Sequence, residues 1–198
     1  HIVVEPGMSI SELLARMDAC GVLGAGRLGR AAHILAKMFL DPGCSTFLSM
    51  AGALVPGGMR QVVRGLVERG LLKAIVTTGA NVVHDLLEAL GFRHYVGTFR
   101  ADDARLREER IGRIGDIYVE MDAYVALEKW LRKALEELPA EARARLSGAK
   151  LIRELGLRLN DPNSIVATAA RKEVPIICPG FIDSVAGFQL WTFSDELG

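Results

Sequence analysis

Three turns collect the residues of this chain that could do chemistry. In the first, the apolar run Ile75-Val76-Thr77 stops at Thr78-Gly79-Ala80-Asn81, and Val82-Val83-His84-Asp85 follows at once in a helical pattern. In the second, Ser45 to Met50 runs into Ala51-Gly52-Ala53-Leu54-Val55-Pro56-Gly57-Gly58. In the third, Val174 to Cys178 runs into Pro179-Gly180-Phe181-Ile182-Asp183-Ser184, with Gly187 close behind. At the end of a strand in an open α/β sheet, backbone N–H groups and a helix N-terminus face outward and hold anionic ligands. Three such turns could converge on one crevice. His84 would stand at its mouth, an imidazole suited to taking a proton near neutral pH. Asp183 could accept hydrogen bonds from a ribose or a cationic amine. Phe188, Leu190, Trp191 and Phe193 would build an apolar wall.

Plainer readings stand beside these. His84-Asp85 can be an exposed polar pair in the first turn of a helix, with Asp85 favoured there by the helix dipole. Asp183 can be a turn-former, and the aromatic residues can be strand residues packed in a core. Gly24-Ala25-Gly26-Arg27-Leu28-Gly29 matches a dinucleotide fingerprint letter for letter, but that motif needs a strand immediately before it. Here Leu13 to Cys20 reads as helix, so a glycine-rich helix start packed closely on a neighbour is the better expectation. His33, His84 and His94 lack metal-ligand spacing, and no metal is expected. No nucleophile elbow and no Walker A sequence is present.

The elements that must position these residues can be read from periodicity. Ser9 and Glu12 form a capping box for a helix carrying Leu13, Leu14 and Met17 inward, and a second helix covers Leu28 to Phe39. Met59, Val62, Val63, Leu66 and Val67 recur as one apolar stripe of a helix that Gly70 ends. Asn81 caps the next helix, with Val82, Leu86, Leu87 and Leu90 inside. His94 to Thr98 reads as a strand, so residues 45–98 spell β-α-β-α-β, the pattern of a parallel sheet. Ala101 to Arg113 is expected as a solvated loop and Ile114 to Val119 as a short strand. Helices are expected over Met121 to Leu138 and Lys150 to Leu159. Asp161-Pro162 suggests an N-cap followed by proline at the first helical position. Val174 to Cys178 suits a strand buried on both faces.

Bulk properties narrow the class. The 198 residues are 50% hydrophobic and 24% charged, with no formal net charge, as for a single globular domain. A phosphate-tracking surface usually needs a basic excess, so nucleic acid is not expected as a partner. No apolar run reaches the roughly 18–20 residues of a membrane span, and no signal peptide is visible. The three cysteines are far apart and suit free thiols in a reducing compartment, so a cytoplasmic location is expected.

Several stretches, in this order, resemble the deoxyhypusine synthase family. They are Thr46 to Gly58 with Met59-Arg60-Gln61, Val76-Thr77-Thr78-Gly79, Arg110-Ile111-Gly112-Arg113-Ile114-Gly115, Lys150 to Gly156, Asn160 to Ser164, and Val174 to Pro179 with Asp183 and Gly187. The Thr-Gly-Ala-Asn version of the first turn, with His84-Asp85 after it, is similar to the bacterial, deoxyhypusine synthase-like branch. The resemblance implies a Rossmann-like parallel sheet with flanking helices. It also implies homotetramers with active sites between subunits, and an NAD-dependent aminobutyl transfer. In that reaction spermidine is oxidised to an imine that passes through an enzyme lysine to an acceptor amine. The family's cofactor contacts fall on Gly52, Ala53, Leu54, Val55 and Pro56, on Thr78, Gly79 and Ala80, and on Asp183.

Departures from the family qualify the substrate. Two adjacent glutamates that contact cofactor and polyamine become Val83 and His84, and an aspartate that holds a polyamine nitrogen becomes Phe188. Fewer acids should weaken binding of a long polycation. A small acceptor amine giving homospermidine, or an agmatine-derived substrate, then stands beside protein lysine. The family chain continues well past the equivalent of Phe193, and the continuation carries the catalytic lysine. None of Lys37, Lys73, Lys129, Lys133, Lys150 and Lys172 matches its context. The chain is therefore expected to be one α/β domain that is incomplete at its C-terminus, and the isolated segment to be inactive. The other class of reading is a non-catalytic nucleotide-binding or oligomer-scaffold protein.

Overall fold

The computed structural model describes the backbone of residues 1–197 and the side chains of residues 1–194. The chain divides into two compact units, His1–Thr46 and Phe47 onward. The first is a helical pair, α1 (Ile10–Cys20) and α2 (Leu23–Leu40). The capping box forms as expected: Ser9 Oγ accepts from the Glu12 amide at 3.2 Å, and Glu12 Oε2 accepts from the Ser9 amide at 2.8 Å. Helix α2 begins five residues before the expected start, so Gly24 to Gly29 lies inside a helix and forms no phosphate loop. A Cβ on Gly29 would stand 2.2 Å from the backbone nitrogen of Asp18, and one on Gly26 2.4 Å from the carbonyl carbon of Gly21. Those glycines are there because two helix backbones touch.

The second unit is mixed α/β. Strands β1 (Phe47–Met50), β2 (Ala74–Thr77) and β6 (Ile176–Ile177) form a parallel sheet in the order β1-β2-β6. Phe47 lies beside Ala74, and Ile75 beside Ile176. Right after β1, residues Val55–Met59 make a wide turn in which Gly58 takes φ +93°. Helix α3 (Arg60–Glu68) then leads to β2, and α4 (Gly79–Ala89) leaves it. Strand β3 (His94–Val96) does not extend the parallel sheet. It pairs antiparallel with β5 (Ile117–Glu120), which also pairs with β4 (Ile111–Ile114). The expected solvated loop is thus partly regular: α5 (Asp103–Glu108), with Asp102 capping it, precedes β4. Helices α6 (Met121–Glu136), α7 (Ala140–Arg143), α8 (Gly148–Leu157) and α9 (Ile165–Arg171) follow, and α10 (Val185–Leu197) comes last. Leu86, Leu127, Leu131, Ile152, Leu155 and Phe193 are among the side chains of the apolar core.

Four local expectations are corrected by packing. The buried face of α3 carries Arg60, Val63 and Val67, while Val62 is 52% exposed and Met59 is also largely exposed. Ser164, not Asp161, caps the following helix, accepting from the Ala167 amide at 3.0 Å. In β6 Ile176 is buried but Ile177 is exposed, so only one face is covered. The stretch from Phe188 to Phe193 is helical rather than strand. Among the described residues no helix is long and apolar enough to cross a membrane, and no group of three or more His, Cys, Asp or Glu side chains is arranged to hold a metal ion.

Candidate functional site

The C-terminal ends of the three parallel strands lie on one edge of the sheet, and the turns that follow touch one another. The Val55 amide donates to Asn81 Oδ1 at 3.2 Å, joining the β1 turn to α4. Asn81 is therefore a bridge, donating also to Thr78 Oγ1 at 3.3 Å, and it does not cap the helix. A Cβ on Gly79 would stand 2.4 Å from Ser184 Cβ and 3.2 Å from the Phe181 carbonyl oxygen. Only glycine lets the β6 turn close on the start of α4.

Thr78 sits at the N-cap of α4, and no side chain caps the helix. The first-turn amides consequently keep donor capacity at the positive end of an eleven-residue helix, the arrangement that holds phosphate oxygens. Thr78 and Ala80 are exposed beside the buried Gly79. Gly52 takes φ +73°, and nothing lies within 4 Å of where its Cβ would be, so the β1 turn offers bare backbone. Ala53 and Leu54 are exposed; Val55 and Pro56 are buried and anchor the turn. Asp183 is exposed in the β6 turn, directly before Ser184. These residues fit a dinucleotide: amide donors for its phosphates, a glycine cradle for close approach, and a carboxylate for a ribose hydroxyl.

His84 and Val83 sit deeper. Val83 belongs to the apolar core. His84 is 8% exposed, and its Nδ1 lies 2.9 Å from His94 Nε2 on β3. His94 Nδ1 in turn lies 2.8 Å from Glu88 Oε1. The carboxylate at the end fixes the protons along the chain. His94 donates from Nδ1 to Glu88, its Nε2 accepts from His84 Nδ1–H, and His84 keeps a lone pair on Nε2. Burial, and then the neighbouring His94, push the His84 imidazole down to about 4, against a smaller pull from Glu88. Burial raises the Glu88 carboxyl, but the hydrogen bond from His94 and the charge of Arg60 outweigh it and leave it below its ordinary value. Phe188 is 60% exposed and lies against Trp191, ring centroids 5.9 Å apart, on the outside of α10.

Reading the sequence missed the ion network beneath these residues. Arg60, buried on α3, donates to Asp85 at 2.6 Å and to Asp161 at 2.8 Å, with Glu88 at 3.3 Å. Burial opposes the guanidinium charge, but Asp85, Asp161 and Glu88 together hold its pKa above the usual value. Asp85 is not an exposed helix-end residue: its carboxylate also accepts from Ser164 Oγ at 2.6 Å and from the amides of Ile165 at 3.0 Å and Val166 at 2.9 Å. The available signal was the spacing Arg60, Val63, Val67, which puts a cation in line with a buried apolar stripe.

Comparison with known proteins gives the following. Residues 12–197 match the family model described as deoxyhypusine synthase. The chain is similar to the "Probable deoxyhypusine synthase" of Methanothermobacter thermautotrophicus, 42% identical over 196 residues, which is 99% of this chain and 63% of that protein. It is also similar to the "Probable deoxyhypusine synthase 1" of Methanosarcina acetivorans, 40% identical over 97% of this chain and 59% of that one. A crystal structure assigned to an Entamoeba histolytica deoxyhypusine synthase superposes with a TM-score of 0.67 over 96% of this chain and 64% of that chain. At 20% identity that is a likeness of fold. This chain spans about three-fifths of the length of the curated relatives it matches. The relatives are overwhelmingly archaeal, and that overturns the assignment to a bacterial branch.

Proposed function

From the premise that the chain belongs to the deoxyhypusine synthase family, shown by the match over residues 12–197, we propose that it carries the cofactor half of an NAD-dependent aminobutyl transferase acting on a polyamine. The observation that carries the reading is the uncapped start of α4, at the edge where the β1 and β6 turns close on it. NAD, when bound, supplies reversible hydride acceptance. Thr78, Gly79 and Ala80 would hold its phosphates by backbone amides and one hydroxyl, Gly52 to Pro56 would line the approach, and Asp183 would take a ribose hydroxyl. Val83 supports this turn from the core. His84 is proposed as the group that accepts the amine proton, on Nε2, and relays through His94 to Glu88. Its low basicity makes it a transient carrier. Phe188 would lie along the apolar length of the polyamine.

Val83, His84 and Phe188 keep a small acceptor amine as the alternative, but with the relatives archaeal rather than bacterial a protein lysine is the acceptor we propose, spermidine being the donor. The family's nucleophilic lysine has no counterpart among the six lysines of residues 1–198, so the reading places it outside them. Assembly with further copies of the same chain, as a tetramer, belongs to the same proposal. The test is to incubate the full-length protein with NAD and radiolabelled spermidine, in one arm with a lysine-bearing acceptor protein and in another with putrescine. NAD-dependent label on the acceptor protein is expected. Label only in putrescine would redirect the acceptor to a small amine. No NAD-dependent product in either arm would sink the enzymatic reading and leave a nucleotide-binding scaffold.

A further inference from the structure

The motif Arg110-Ile111-Gly112-Arg113 plays no part in the strand-end site. It lines a cleft of about 630 Å³ in the second unit, between α5, β4, α6 and α10. The cleft wall is apolar along Leu106, Ile111, Met121 and Val125, and Met121 and Val125 are both exposed to it, one helical turn apart on α6. A volume of this size suits a small organic molecule with such a lining.

The charged groups in the cleft are not equivalent. Arg113 is held at both ends of its fork by Asp103, at 2.7 and 2.9 Å, and Arg110 is paired with Asp122. Arg107 and Glu128 line the same cleft, and among the described residues neither side chain has an ion-pair or hydrogen-bond partner. One polar atom in the wall is also unsatisfied. Gln189 is 8% exposed and spends its amide Nε2 on the Tyr124 carbonyl at 3.3 Å, while its Oε1 is buried with no partner among the described residues. Buried acceptors are ordinarily paired, so this one calls for a donor from outside. The Tyr124 phenol, raised above its ordinary value by burial, is a neutral donor at the same wall.

We infer that this cleft binds a small apolar zwitterion: a carboxylate for Arg107, an ammonium for Glu128, a hydrogen-bond donor for Gln189 Oε1, and an apolar ring over Met121 and Val125. L-tryptophan carries all four features. Tryptamine lacks the carboxylate, and indole-3-propionate lacks the ammonium. The experiment titrates each of the three into the ¹⁵N-labelled chain and follows amide shifts. Tryptophan should bind at least about fivefold more tightly than either analogue, with shifts centred on Arg107, Tyr124, Val125 and Gln189. Arg107→Gln should bring tryptophan down to the affinity of tryptamine, and Glu128→Gln to that of indole-3-propionate. Both residues are exposed, so the variants keep the fold. Equal binding of the three ligands overturns the inference. So do a tryptophan preference that survives in both variants and an absence of shifts at these residues at millimolar ligand.

Discussion

Asp85→Asn is the sharpest single perturbation of this fold. The Asp85 side chain is 1% exposed, and its two oxygens accept four hydrogen bonds, from Arg60 Nε, Ser164 Oγ and the amides of Ile165 and Val166. Asparagine keeps the shape and removes the charge, and one of its ends becomes an NH₂ facing donors. Removing one partner of a buried pair typically costs about 3–5 kcal/mol. Arg60 would retain Asp161 and Glu88, so its own charge stays balanced and the lower end applies, about 3 kcal/mol. For a chain of this size each kcal/mol moves the melting temperature by about 2–4 °C, so a drop of about 10 °C is expected. Urea unfolding should show a lower midpoint at an unchanged slope, since the surface exposed on unfolding is the same. Native-state hydrogen exchange at Ile165 and Val166 should speed up beyond the global change, because those amides lose their acceptor. A variant within about 1 kcal/mol of the parent, with those two amides still protected, would refute the reasoning and reduce Asp85 to a spectator in an otherwise self-sufficient core.

Three further outcomes follow from the same geometry. His84 has a folded-state value of about 4 against an ordinary 6.5, so the unfolded chain takes a proton that the folded chain refuses; stability should fall as pH drops from about 6.5 to about 4, by up to about 3 kcal/mol, and His84→Gln should flatten that part of a pH series of urea midpoints. Gly29→Ala puts a methyl 2.2 Å from the Asp18 backbone nitrogen, so it should separate α1 from α2, read as faster amide exchange within residues 10–40 with residues 47–194 unchanged. In the full-length protein Asp183→Ala should mainly raise the NAD requirement, by about 1–3 kcal/mol for a lost charge-assisted bond, whereas His84→Ala should depress turnover more than NAD affinity; steady-state kinetics showing the reverse split would exchange their roles.

Much of the fold was legible because it rests on local rules. The Ser9/Glu12 box, the strand-turn-helix at Thr77 to Asn81 and the helical setting of Gly24 to Gly29 each depend on neighbours within a few residues, where periodicity and turn chemistry act. What failed depended on distant partners. A run such as His94 to Val96 announces a strand but not its neighbour; β3 chose β5, about twenty residues ahead, over the parallel sheet behind it. Asp161 has a capping residue's place in the sequence, yet its carboxylate goes to Arg60 at 2.8 Å and leaves Ser164 to start the helix. The stripe of α3 turned because a buried guanidinium with three carboxylates around it can occupy a core position that binary patterning reserves for an aliphatic side chain.

That last substitution of an ion network for an apolar contact bears on the site itself. A strand-end turn binds a ligand well only when the elements behind it are rigid. Here α4 begins at the turn with Gly79 and, two helical turns later, presents Asp85 and Glu88 to Arg60. Asp85 in turn receives the first amides of α9. The same helix carries Asn81 to the β1 turn and His84 to β3. One eleven-residue helix therefore ties the strand-end turn to α3, α9 and both sheets, and every one of those ties is polar and buried or part-buried. Polar ties have fixed geometry where apolar packing tolerates sliding. The residues that set the precision of the proposed crevice are then Arg60, Asp85 and Asn81, none of which need touch a ligand in it. The sequence offered Asn81 as a helix cap and Asp85 as an exposed helix-end residue because their buried partners, Val55, Arg60 and the start of α9, lie far away along the chain.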